Sequence, residues 1–112
     1  ERWFSPGFRA ANGADYVGSA TMLRRTPVEG YIATCEAIRD ADLTESTSAL
    51  RIPVLCIAGE HDGATPPALV RSTAELIAGS EFRLIEGVGH IPCVERPDII
   101  AGLIEDLAER VA

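Results

Sequence analysis

An α/β fold is the class the sequence predicts: two parallel strands under covering helices, with a helical segment before them. Three observations carry it. Val54-Leu55-Cys56-Ile57-Ala58 is a continuous apolar run bounded by Pro53 and Gly59, which suits a parallel strand covered on both faces. A second strand is predicted from Phe82 to Glu86, one helix-length away, and two parallel strands joined through a helix form a right-handed crossover. Before about Leu50, by contrast, the sequence holds helical patterns and turn punctuation but no convincing strand. The chain thus divides into a helical segment, residues 1–48, and a strand–helix–strand–helix block, residues 49–112.

Taken in order, Ser5-Pro6-Gly7 and Asn12-Gly13 read as turns, followed by a weak helix from about Ala14 to Arg24. Thr26-Pro27-Val28-Glu29 predicts a helix start. Thr26 can accept from the N3 amide, Pro27 suits N1, and Glu29 can close a capping box. Val28, Tyr31, Ile32, Cys35 and Ile38 then recur on one helical face. After the first strand, Thr65-Pro66-Pro67 opens a helix expected to reach about Ala78 and to stop at Gly79. Pro97 opens the last helix, with an apolar stripe of Ile99, Ile100, Leu103, Ile104, Leu107 and Val111. Two strands alone leave both sheet edges unpaired. The block therefore expects further strands, from a missing N-terminal segment or from another copy of the chain.

Composition narrows the partners. At 112 residues the chain is long enough for one modest core. Apolar content of 46% and charged content of 24% are ordinary for a globular domain. A net charge of −7, with Arg24-Arg25 the only close cationic pair, argues against a nucleic-acid or anionic-membrane surface. No apolar run approaches the ~20 residues of a membrane span. Cys35, Cys56 and Cys93 are odd in number and lack metal-ligand spacing, so reduced thiols in a cytoplasmic protein are expected rather than disulfides. The chain starts at Glu1 rather than Met and is expected to be part of a longer product.

The chemistry centres on two loops. Asp62 lies in Gly59-Glu60-His61-Asp62-Gly63, just past the first strand, and His90 follows the second strand through Gly87-Val88-Gly89. Loops at the carboxyl ends of parallel strands carry ligand and catalytic groups. Neighbouring strands would bring the two residues together, and a carboxylate there can fix a histidine tautomer and stabilise its imidazolium. Glu60 is a second candidate acid; His61, adjacent to Asp62, should point away from it. Cys93 invites a Cys–His reading but lacks any sequence sign of a stabilised thiolate. None of the six serines sits in a G-x-S-x-G turn, so no residue here is a credible nucleophile. Acid then histidine, each after a strand, reads as the C-terminal part of a three-layer α/β-hydrolase whose serine lies elsewhere.

Arg2-Trp3-Phe4-Ser5-Pro6-Gly7-Phe8, Gly30-Tyr31-Ile32-Ala33 and the run from Cys35 to Leu43 resemble the cap and return segment of 3-oxoadipate enol-lactonases. The stretches Gly59 to Pro67 and Gly89 to Glu95 resemble that family's acid and histidine loops. The resemblance spans essentially the whole chain, yet somewhat under half of a family member. It implies a cofactor-free, metal-free hydrolase of aromatic catabolism that opens 3-oxoadipate enol-lactone in the β-ketoadipate pathway. In that reading His90 deprotonates the parent's serine and Asp62 orients His90. Trp3 would line the substrate pocket and Arg2 would meet the substrate carboxylate, the alternative being that the two form an amphipathic anchor docking cap to core. The oxyanion glycines and nucleophile turn of the family's first half are not in this sequence. The alternatives are another α/β-hydrolase, such as an esterase or cofactor-free haloperoxidase, or an inactive truncated fragment that self-associates.

Overall fold

The computed structural model describes residues 2–111. Glu1, Ala112 and the side chain of Val111, which was counted in the predicted stripe, lie outside the described residues. The elements run α1 (Pro6–Ala11), α2 (Ala14–Arg25), α3 (Val28–Asp40), α4 (Thr44–Ser48), β1 (Leu55–Gly59), α5 (Pro67–Leu76), β2 (Glu81–Ile85), α6 (Pro92–Glu95) and α7 (Pro97–Val111). β1 and β2 pair in parallel, Leu55 opposite Glu81 through Gly59 opposite Ile85. Bonds from Glu81 N to Val54 O (2.9 Å) and from Glu60 N to Ile85 O (2.9 Å) extend the ladder at both ends.

Strand periodicity assigns the layers. Residues two apart share a face, and residues in register share it across the pair. Ile57 and Ile85 therefore point the same way, where they cluster with Val88 and with Ile99, Ile100 and Leu103 of α7. Phe82 points oppositely, and the Arg71 guanidinium of α5 lies 4.1 Å from its ring centroid. Helix, sheet and helix thus form three layers, as expected from the sequence. α5 stops at Leu76, short of the predicted end, because Ile77 turns extended and is buried. Gly79, at φ 78°, then reverses the chain into β2, and Ser80 Oγ closes the turn on Ala74 O at 2.6 Å.

Two local expectations need correction. Ser5-Pro6-Gly7, read as a turn, instead starts α1: Ser5 Oγ accepts from Phe8 N at 3.3 Å and Pro6 takes the first turn, where its missing N–H costs nothing. Asn12, at φ 48°, ends that helix in the left-handed conformation, which Asn tolerates better than most residues. The capping box at Thr26 does not form. Only two residues separate α2 from α3, and Thr26 Oγ1 donates backwards to Met22 O at 3.2 Å. α3 starts without a side-chain cap, its first turn closed by Tyr31 N to Pro27 O at 3.0 Å.

α2, α3 and α4 bury no residue. The periodic face of α3 is correct as a helix signal, yet Val28, Ile32 and Ile38 are 66%, 51% and 71% exposed. What ties the helical segment down is its beginning. Phe4 is buried, stacks on Phe8 with centroids 5.3 Å apart and meets Tyr16 of α2 edge-on at 5.7 Å; such pairs add about 0.5–1.5 kcal/mol beyond buried area. Among the described residues no helix is long and apolar enough to cross a membrane, and Cys35, Cys56 and Cys93 are all free thiols.

Candidate active site

Asp62 is placed by the end of β1. The chain leaves the strand at Gly59, and Asp62 N donates to Gly59 O at 3.1 Å, folding the loop back. The carboxylate is then used to capacity. Oδ1 accepts from Ala64 N and Thr65 N, both at 2.8 Å. Oδ2 accepts from Thr65 Oγ1 at 2.8 Å and meets His90 Nδ1 at 2.9 Å. Burial by itself would raise this carboxyl, but the bonds from His90, Thr65 and Ala64 outweigh it and hold Asp62 below the ordinary aspartate value. Asp62 is therefore an ionised acceptor.

That charge settles the imidazole. An ionised carboxylate has no proton to give, and the single Thr65 hydroxyl proton goes to Asp62 Oδ2. Nδ1 of His90 must then carry the hydrogen, shared with Thr65 Oγ1 at 3.2 Å. Nε2 is left as the free acceptor of the neutral ring. Exposure makes the division useful: the side chain of Asp62 is 4% exposed and that of His90 35%. The acid is sealed in, and the base has an open edge.

Glycines let the two loops meet. A Cβ on Gly59 would lie 2.0 Å from Gly89 O, and one on Gly89 would lie 2.7 Å from Trp3 O. Three backbone layers thus stack without side chains between them: the end of β1, the histidine loop and residues 3–4. Bonds run across the stack from His61 N to Val88 O and from His90 N to Trp3 O, both at 2.8 Å. Val88, 3% exposed, plugs the loop into the α7 face.

The remaining candidates separate cleanly. Glu60 is not beside His90; its Oε2 accepts from Gly87 N at 2.9 Å and lies 3.9 Å from His61 Nε2, both exposed. Cys93 is exposed on α6. Trp3 is half-buried and lines a cavity of about 180 Å³ with Met22 and Leu23 of α2 and with Ile91 and Val94. Arg2 is exposed, and its carbonyl accepts from Gly63 N at 3.3 Å in the acid loop. Among the described residues no group of three or more His, Cys, Asp or Glu side chains is arranged to hold a metal.

Sequence reasoning missed two members of this constellation. Thr65 was read as the opening of α5, yet that helix has no side-chain cap and the hydroxyl serves Asp62. Its signal was available: a hydroxyl three residues after an aspartate can fold back on the carboxylate as in a capping turn. Glu95 had no such local signal. Its Oε1 accepts from Ser5 N at 3.0 Å and Gly89 N at 2.9 Å, and its Oε2 from Ser5 Oγ.

No family model matches the chain. It is 33% identical over 109 residues to 3-oxoadipate enol-lactonase 2 of Acinetobacter baylyi, an alignment covering 97% of this chain and 40% of that protein. The crystal structure of the enol-lactonase from Burkholderia xenovorans superposes with a TM-score of 0.84 at 32% identity, over 96% of this chain and 41% of that one. A thermophilic esterase from Thermogutta terrifontis superposes at 0.60 and 31% identity, over 62% of this chain and 26% of its own. The chain thus spans about two fifths of the length of the enol-lactonases it matches, in their C-terminal part.

Proposed function

We propose, from the α/β-hydrolase fold that this chain shares with the enol-lactonases, that it carries the acid and base of a Ser-His-Asp hydrolase that opens 3-oxoadipate enol-lactone to 3-oxoadipate. One observation carries the proposal: the 2.9 Å bond from His90 Nδ1 to Asp62 Oδ2, at the carboxyl ends of adjacent parallel strands. Nε2 of His90, on the exposed edge, takes the proton of a serine hydroxyl supplied from outside these residues. The serine oxygen attacks the lactone carbonyl, and Asp62 stabilises the imidazolium. Collapse breaks the ring C–O bond, and the imidazolium returns its proton to the enol oxygen that leaves. Water, deprotonated by the same Nε2, then cleaves the acyl-enzyme and releases the acid.

In this reading Trp3 forms part of the substrate wall through the cavity it lines, and the Arg2 guanidinium meets the substrate carboxylate. Three free thiols suit the reducing cytoplasm. Without a serine in a nucleophile turn, this polypeptide alone turns over no enol-lactone and takes no label from a serine-directed phosphonate; labelling would overturn that claim. In the full-length hydrolase, His90→Ala should abolish turnover while circular dichroism stays unchanged, and retained turnover would remove His90 from the mechanism. A broader esterase specificity is favoured by the superposition on the Thermogutta esterase. Comparing kcat/KM for enol-lactone with that for simple aryl esters separates the two substrates.

A further inference from the structure

The mechanism leaves one well-bonded carboxylate unused. Glu95, half-buried at the end of α6, accepts from Gly89 N in the histidine loop and from both Ser5 N and Ser5 Oγ. Ser5 is 3% exposed. The loop is held from its other side by Trp3 O, which accepts from His90 N at 2.8 Å. A closed ring results: Glu95 to Gly89, along the chain to His90, across to Trp3, along to Ser5, and back to Glu95. A ring of this kind fixes the backbone that leads into the His90 Cα, at Gly89 N and at His90 N. Orientation matters there, because the imidazole must reach a buried carboxylate with Nδ1 while keeping Nε2 exposed.

We propose that Glu95 is a positioning residue for His90, acting through Gly89 and Ser5 to hold the imidazole in line with Asp62. The proposal rests on the reading of Asp62 and His90 as the acid–base pair. Glu95 touches no reacting atom. The charge suits the task, since one carboxylate can satisfy two backbone N–H groups and a hydroxyl at once. An alanine leaves all three donors without that acceptor. A glutamine keeps an oxygen for the two N–H groups and offers an amide N–H that Ser5 Oγ can accept.

The test is the proton NMR spectrum of the chain itself, read at the His90 Nδ1–H resonance, which a bond to a carboxylate moves downfield and protects from exchange. In the unmodified chain the resonance should be present, and Asp62→Asn should remove it. If it is absent from the unmodified chain, the acid–base pair fails and this proposal falls with it. Given the resonance, Glu95→Ala should lose it while far-ultraviolet circular dichroism is unchanged, and Glu95→Gln should restore it. A Glu95→Ala chain that melts earlier yet keeps the resonance shows only a brace between segments, and overturns the proposal. Should Glu95→Ala fail to fold, Ser5→Ala removes the hydroxyl alone. An upfield move of the resonance is then expected, and an unmoved resonance counts against Glu95.

Discussion

Two stretches of the chain behave oppositely. Residues 14–48 are almost wholly helical and bury nothing, whereas residues 54–100 hold the buried side chains Ala58, Asp62, Ala74, Ile77, Ile85, Val88 and Ile100. The first stretch satisfies its backbone locally, through i to i−4 bonds, and needs no partner to do so. The second must join residues far apart in sequence before any of its strand groups are paired. Apolar periodicity marked both α3 and α7 in the sequence. Only α7 found a sheet to lie on, so periodicity reports the helix and leaves its burial open. Phe4 and Ser5 are the exceptions in the first half, and both belong to the segment bonded to the histidine loop.

The comparison breaks hardest at the glycines. Gly59→Ala places a methyl on the backbone of the histidine loop and should cost at least about 3 kcal/mol, the upper end for overpacking, or prevent folding, as read by denaturant unfolding. A cost within ~0.5 kcal/mol would mean the loops do not approach as described. Next comes Ile100→Ala, which empties part of the cluster with Ile85 and Val88 and should cost about 2–3 kcal/mol. Ile38→Ala, at a residue 71% exposed, should stay within about 0.5 kcal/mol. Equal costs would erase the distinction between the halves.

Acid sharpens it further. Asp62 has a depressed folded value, so its contribution is complete above the unfolded aspartate value of about 3.9 and is lost as pH falls through the lower folded value. Unfolding midpoints measured from pH 6 down to pH 2 should therefore fall less steeply in Asp62→Asn than in the unmodified chain. Parallel curves would show that the carboxylate is not held as its bonds imply. One further effect carries the opposite sign. Gly30→Ala in α3 meets nothing within 4 Å and should stabilise by about 0.5–1 kcal/mol. Destabilisation there would reveal that α3 packs against another surface in solution. A second copy covering the open sheet edges is one such surface, and sedimentation would detect it.

Legibility followed distance along the chain. β1 was expected from a run of apolar residues between Pro53 and Gly59 and forms one residue later, because Val54 contributes only its carbonyl to the ladder. Asp62 and His90 could be paired from their positions after the strands. The sequence ranked Asp62 ahead of Glu60, and in the structure the loop turns Asp62 onto His90 Nδ1 and Glu60 onto Gly87 N. The Thr26 capping box failed because the hydroxyl had two helix ends within reach, and sequence does not rank them.

What the sequence determined by itself is the strand–helix–strand–helix order of the second block, the helices α2 and α3 before it, and the presence of an acid and a histidine in the loops that follow the strands. Those follow from periods of 3.6 and 2 and from turn residues, all of which act over a few residues. Tertiary structure alone decided that Ser5 and Glu95, 90 positions apart, share hydrogen bonds, and that Gly59 and Gly89 admit no side chain. It also decided that the apolar face of α3 stays open. Each of these depends on which backbones come within van der Waals reach, and local sequence carries no record of that.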